Sequence, residues 1–66
     1  MKNTLKAERI KNEMTQIQLA NLVKVSRQTI ISIETGRYIP SVLLALKIAK
    51  ILNLHTEDLF QIEKSD

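Results

Sequence analysis

Residues Thr15–Thr35 read TQIQLANLVKVSRQTIISIET, and the spacing within this stretch decides the fold. Thr15 with Gln18 three residues later forms the T-x-x-Q pattern of a capping box, whose two side chains satisfy free amides at a helix start. Ile17, Leu19, Ala20, Leu22 and Val23 then recur at helical spacing as an apolar stripe. The stripe stops at Val23, a tight turn follows at Lys24-Val25, and Ser26 is a second N-cap. In the next helix Ile30 and Ile33 face inward, with Val25 tucked under the turn. Arg27 and Ile31 are one turn apart, as are Gln28 and Ser32, and both pairs point outward on adjoining lines. A long cation, an amide and a hydroxyl on one exposed helical face suit the base edges of a DNA groove, and Ile31 beside them suits a thymine methyl. The stretch is therefore expected to be a helix-turn-helix.

Working outward, Asn3 or Thr4 is expected to cap a first helix running to about Glu13. Its apolar positions Leu5, Ala7 and Ile10 are few, so it covers the core more than it forms it. Arg9 lies among them, either solvated or paired with a carboxylate elsewhere, for which Glu34 at the end of the third helix is the candidate. On the other side, Gly36 fits a left-handed helix-ending position. Arg37-Tyr38-Ile39-Pro40 is then a loop, extended at Ile39 by the proline that follows. Its Arg37 and Tyr38 offer a cation and a phenol to a phosphate backbone. Thr15, Gln16 and Thr29, in first turns where free amides and the helix dipole attract anions, are the other expected phosphate contacts.

Ser41 is expected to cap a fourth helix, Val42 to Leu52, with Val42, Ala45, Ile48, Ala49 and Leu52 inward and Asn53 in place of a terminating glycine. Leu43, Leu46 and Ile51 exceed what one buried face needs. Surplus apolar surface on so small a chain points to self-association, and Leu43, Ile51, Leu54 and Ile62 are the expected dimer contacts. Thr56 is expected to cap a last short turn, Glu57 and Asp58 sit at its positive end, and Leu59 and Phe60 seal the core. Gln61 to Asp66 can pair as a short strand with residues 2 to 4, or fray.

Composition sets the outer limits. Sixty-six residues make one domain, residues 1–66, and a chain of this length buries only about 60% of its unfolded surface. There is no cysteine, hence no disulfide or thiolate metal site. The net charge of +3 is compatible with a polyanionic partner but not specific for one. The start, MKNTLKAERIK, lacks the apolar core of a signal peptide. The longest uncharged apolar run, Val42 to Leu46, falls far short of the roughly 20 residues that span a bilayer. A soluble, cytoplasmic protein without membrane association is expected. Catalysis is not: the single histidine, His55, has no local ligand partners, a single glycine excludes a phosphate-binding Gly-rich loop, and adjacent Glu57 and Asp58 point in different directions. No metal and no cofactor is expected.

The ordered motifs TQ-x-x-LA, VSRQTI-x-x-IE-x-G, P-S and LALKIAK, spread over roughly residues 5 to 60, resemble the Cro/CI-type helix-turn-helix family. These are the lambda-repressor-like, xenobiotic-response-element regulators, and the likeness is greatest to their short stand-alone members. The resemblance implies an all-α, five-helix domain, with the motif at about residues 16–35, that binds double-stranded DNA as a homodimer on a near-palindromic operator. It places the third helix in the major groove, with Arg27, Gln28, Ile31 and Ser32 toward bases. Gln16, Arg37 and Tyr38 fall on backbone-contacting positions, and Arg9 and Glu34 on those of a buried ion pair. The chain departs from the pattern at Glu13 and Lys24, where the family often has glycine, and at Ile39, where relatives often carry asparagine.

A repressor is the simplest function so implied. With no room for an effector domain, signal sensing falls to a partner protein or to concentration. An antitoxin-type autoregulator is the alternative within the same class. From a different class comes a protein-interaction adaptor that has lost DNA binding, for which an acidic or apolar third-helix face is expected instead of Arg27 and Gln28.

Overall fold

Hydroxyl caps and left-handed turns divide the chain into its elements. In the computed structural model, which describes residues 1–66, the order is β1 (Lys2–Asn3), α1 (Leu5–Lys11), α2 (Gln16–Val23), α3 (Arg27–Glu34), α4 (Val42–Leu52), α5 (Thr56–Leu59) and β2 (Phe60–Gln61). Thr15 completes the capping box of α2: its hydroxyl accepts from the Gln18 amide at 3.0 Å, and its own amide donates to Gln18 Oε1 at 2.8 Å. Ser26 and Ser41 cap α3 and α4 by accepting from the amides of Thr29 and Leu44. Of the two expected caps of α1, Asn3 accepts the Leu5 amide, while the Thr4 hydroxyl is turned to donate to the Asp58 carbonyl. The last helix begins differently from the sequence-based expectation. The N-cap of α5 is His55 and not Thr56, since the Asp58 carboxylate reaches back to the His55 amide at 3.0 Å.

The first four helices end in one way. Glu13, Lys24, Gly36 and Asn53 all have positive φ, between 55° and 77°. After each, paired amides fold back on the last helical turn: Glu13 and Met14 donate to Ile10 and Arg9, and Lys24 and Val25 to Asn21 and Ala20. Gly36 and Arg37 donate to Ile33 and Ser32, and Asn53 and Leu54 to Lys50 and Ala49. This is the Schellman arrangement, which satisfies carbonyls that a helix end leaves free. Only one of the four residues is glycine, so Glu13 and Lys24 hold the left-handed conformation that their side chains disfavour by about 1–2 kcal/mol. The turn at Glu13 also ends α1 at Lys11, two residues earlier than the expected boundary.

The core is built from Leu5, Leu19, Ala20, Val23, Ile30, Ile33, Leu44, Ile48, Ala49, Leu52 and Leu59, with Met14, Val25, Leu54 and Phe60 packed around it. Five helices thus share one core, and full burial of one such side chain contributes about 1.5–3 kcal/mol. Several expected inward positions lie outside it, among them the half-buried Ala45 of α4. Ile17 and Leu22 of α2 are about half exposed, and Val42 is 76% exposed. In α4 the buried row runs through Leu44, Ile48 and Leu52 at four-residue steps, while Val42 stands in the first turn on the rim of an open groove with Ile39 and Leu46. Leu54 belongs to the core periphery and is not an outward contact like Leu43, Ile51 and Ile62, which are exposed.

The chain ends meet. Lys2 pairs with Gln61 and Asn3 with Phe60 in an antiparallel two-strand ribbon, so the expected terminal pairing forms one residue earlier than the Gln61 boundary. The Met1 amine lies 3.0 Å from Asp66 Oδ1 and 3.3 Å from Glu63 Oε1. Asp66 hydrogen bonding raises the amine's pKa above its usual value, and the Glu63 amide lowers that of the Asp66 carboxyl. No helix is long and apolar enough to cross a membrane.

Candidate nucleic-acid interface

The first turn of α3 is fixed by its cap and by its buried side, and these two constraints decide what is left outside. Ile30 and Ile33 are fully buried. Arg27 and Gln28 are consequently exposed, while Ile31 and Ser32 are half-buried on the same outward side. The four expected base-facing residues therefore share one surface, with Ile31 less exposed than the sequence pattern suggests.

Behind that surface lies the ion pair. Arg9 Nε donates to Glu34 Oε2 at 2.7 Å and Nη2 to Oε1 at 3.3 Å, with the two side chains only 9% and 3% exposed. Arg9 Nη1 donates to the Met14 carbonyl at 2.7 Å, and no buried side-chain polar atom lacks a partner. The full pairing matters because a buried charge left alone is far costlier than the pair itself. It also joins α1, the α1–α2 turn and α3 through one side chain.

Gln16 connects this pair to the surface. Its Nε2 donates to Glu34 Oε1 at 3.1 Å, and its Oε1 accepts from Arg27 Nε at 3.3 Å. Thr15, Gln16 and Arg27 line one shallow hollow beside α3, together with Arg9. A second hollow takes Thr29 and Tyr38 together with Lys24, Ser41 and Lys47. Thr29 shares a 3.0 Å hydrogen bond with Ser26. The expected phosphate contacts Thr15, Gln16, Thr29 and Tyr38 are thus divided between two hollows, each containing a residue from the first turn of α3, while Arg37 lines neither. Arg37 and Tyr38 are exposed, and their amides both donate to the Ser32 carbonyl, at 2.9 and 3.2 Å, which ties the loop to the end of α3.

Lys24 and Lys47 are the cations that sequence reasoning did not assign to this surface. Lys47 lies on α4, remote in sequence from Thr29, and only packing brings it there. The second hollow sets two cations, two hydroxyls and a phenol, without any acidic side chain, among the apolar Val23, Val25, Leu43 and Leu44, and its polar groups suit a phosphodiester. No group of three or more histidine, cysteine or acidic residues is arranged to hold a metal ion.

Residues 5–59 match the family described as helix-turn-helix. The chain is 50% identical over 66 residues to an HTH-type transcriptional regulator of Methanocaldococcus jannaschii, with 100% of both chains covered. It is 44% identical over 66 residues to one of Bacillus subtilis, again with 100% of both covered. Among solved structures, the restriction-modification controller protein C.AhdI from Aeromonas hydrophila matches with a TM-score of 0.78 at 28% identity, covering 85% of each chain. The SOS-response transcriptional repressor LexA from Eubacterium rectale matches with a TM-score of 0.80 at 29% identity, covering 94% of this chain and 66% of that one.

Proposed function

The chain belongs to the Cro/CI-type helix-turn-helix family of DNA-binding transcriptional regulators, which is not an enzyme family, and on that premise we propose that it is a dimeric repressor. It binds a near-palindromic operator with α3 in the major groove, its two copies about one DNA turn apart. Arg27, Gln28, Ile31 and Ser32 face the bases, and Thr15, Gln16, Thr29, Arg37 and Tyr38 face the phosphates, joined by Lys24 and Lys47.

The observation that carries this reading is the exposed Arg27 at the start of α3, its guanidinium held at one nitrogen by Gln16. A bidentate donor to guanine gains specificity when its direction is already set before binding. Dimerisation is supported by the apolar side chains on the outward side of α4, with Val42, Leu43 and Leu46 all more than half exposed. The repressor works in the cytoplasm by occupying the operator, and its inducing signal acts through a partner protein or through its own concentration.

Selection of bound sequences from random duplex DNA tests this reading. The expected product is a palindrome with half-sites about 10 bp apart, centre to centre. A single unrepeated motif would overturn the dimer, and no enriched motif would overturn sequence-specific binding.

A further inference from the structure

We propose that Lys24 and Lys47 close on one and the same phosphate of the DNA backbone, and that the strained turn between α2 and α3 is retained for this contact. The inference rests on the DNA-binding reading above and deepens it.

Two independent features coincide at Lys24. The first is electrostatic. Lys24, from the α2–α3 turn, and Lys47, from the middle of α4, line one hollow with Thr29, Ser41 and Tyr38. Both lysines are exposed, and neither ammonium takes part in an ion pair. Two cations facing one hollow repel each other, and an anion seated between them turns that repulsion into attraction for both. A phosphodiester offers two free oxygens, each able to accept charge-assisted hydrogen bonds. A single phosphate can therefore take one ammonium on each oxygen and still accept from a hydroxyl or the phenol of the same hollow.

The second feature is conformational. Lys24 stands at φ 60° and ψ 46°, in the left-handed region that a side chain disfavours. The chain makes the equivalent turn after α3 with Gly36, at φ 77° and without that penalty. A cation at the C-terminal end of α2 gains from the helix dipole, but by less than the left-handed conformation costs. Glu13 carries the same strain and lines neither hollow, so strain by itself assigns no role. At Lys24 the strain delivers a charge into a hollow that already holds a second lysine, and such coincidence marks a functional use of strain.

The test uses the best duplex from random selection, a random duplex, and a series in which one phosphate at a time of the selected duplex is an uncharged methylphosphonate. Wild type, Lys24→Gln, Lys47→Gln, their double variant and Lys24→Gly are titrated on each, and melting followed by circular dichroism checks folding. One position in the series is expected to weaken the wild type and to leave both single variants nearly unaffected. Each single variant should bind the selected and random duplexes more weakly by the same factor. In the double variant the salt slope should be smaller by about 0.9, the share of one phosphate, which is roughly threefold in affinity between about 50 and 200 mM salt. Lys24→Gly should melt higher than the wild type and bind as weakly as Lys24→Gln.

Sensitivity at two different phosphates, one for each lysine, with a slope smaller by about 1.8, would overturn the shared contact. Wild-type affinity in both single variants would overturn any clamp, and wild-type affinity in Lys24→Gly would overturn the use of the strained turn. A wild type that binds no duplex would overturn the regulator reading together with the clamp, whereas failure at the lysines alone leaves that reading standing.

Discussion

The outward sides of α3 and α4 differ in how far the chain itself has satisfied them. On α3, Arg27 is joined through Gln16 and Glu34 to the buried Arg9, so a surface cation is linked to the core by consecutive hydrogen bonds. On α4, Val42, Leu43 and Leu46 are 76%, 64% and 53% exposed. A polar surface organised in advance loses little entropy on meeting a charged, regular partner. An apolar one gains only when another apolar surface covers it. The contrast teaches why recognition is proposed for one side and association for the other, a difference carried by the chemistry of their side chains.

The largest expected effect breaks the recognition side at its root. Glu34→Ala leaves the Arg9 guanidinium buried without its carboxylate and should cost about 3–5 kcal/mol of stability. For a domain of this size that corresponds to a fall in melting temperature at about 4–8 °C per kcal/mol. A loss below about 1 kcal/mol would place the pair among ordinary surface salt bridges and leave α3 anchored by Ile30 and Ile33 alone.

A smaller effect isolates the surface end of the same chain of bonds. Arg27→Ala should leave the fold intact, cost about 1–3 kcal/mol on operator DNA and relax the preference at one base pair. Titrations on operator and random duplexes distinguish the roles. Identical losses on both would mean that Arg27 touches only phosphate.

The smallest effects sharpen the comparison at the ends of the two motif helices. Gly36 has φ 77° and open space where a Cβ would sit, so Gly36→Ala tests backbone strain alone and should cost about 1 kcal/mol. Lys24 has φ 60° with a side chain already present. Lys24→Gly should relieve that strain and raise stability by about 0.5–1 kcal/mol, net of glycine's larger unfolded-state entropy. Urea denaturation of both variants measures the pair, and changes of the same sign would show that the two turns are not equivalent.

Much of this was readable in advance because it is local. The Thr15–Gln18 box, the Ser26 and Ser41 caps, the left-handed Gly36 and the inward Ile30 and Ile33 depend on residues within about one helical turn of each other. The five-helix class follows from those signals, and the family membership from their order. Between Asn3 and Thr4 a distant segment decided: the Thr4 hydroxyl is drawn to the Asp58 carbonyl, and Asn3 takes the Leu5 amide. The departure at α5 is local, since the Asp58 carboxylate claims the His55 amide three residues back. Leu44 and not Val42 enters the core, since periodicity marks a face but not the point along the helix where packing begins.

By itself, then, the sequence determined where the motif helices start and stop and which residue types their outer faces carry. Caps, turns and apolar spacing act within a few residues and do not await the rest of the chain. Only the tertiary structure decided that Gln16 bridges Glu34 and Arg27, and that Lys47 lines one hollow with Thr29 and Tyr38. Those arrangements bring together groups from different elements. The direction of a long polar side chain depends on what packing places within about 3 Å of its end.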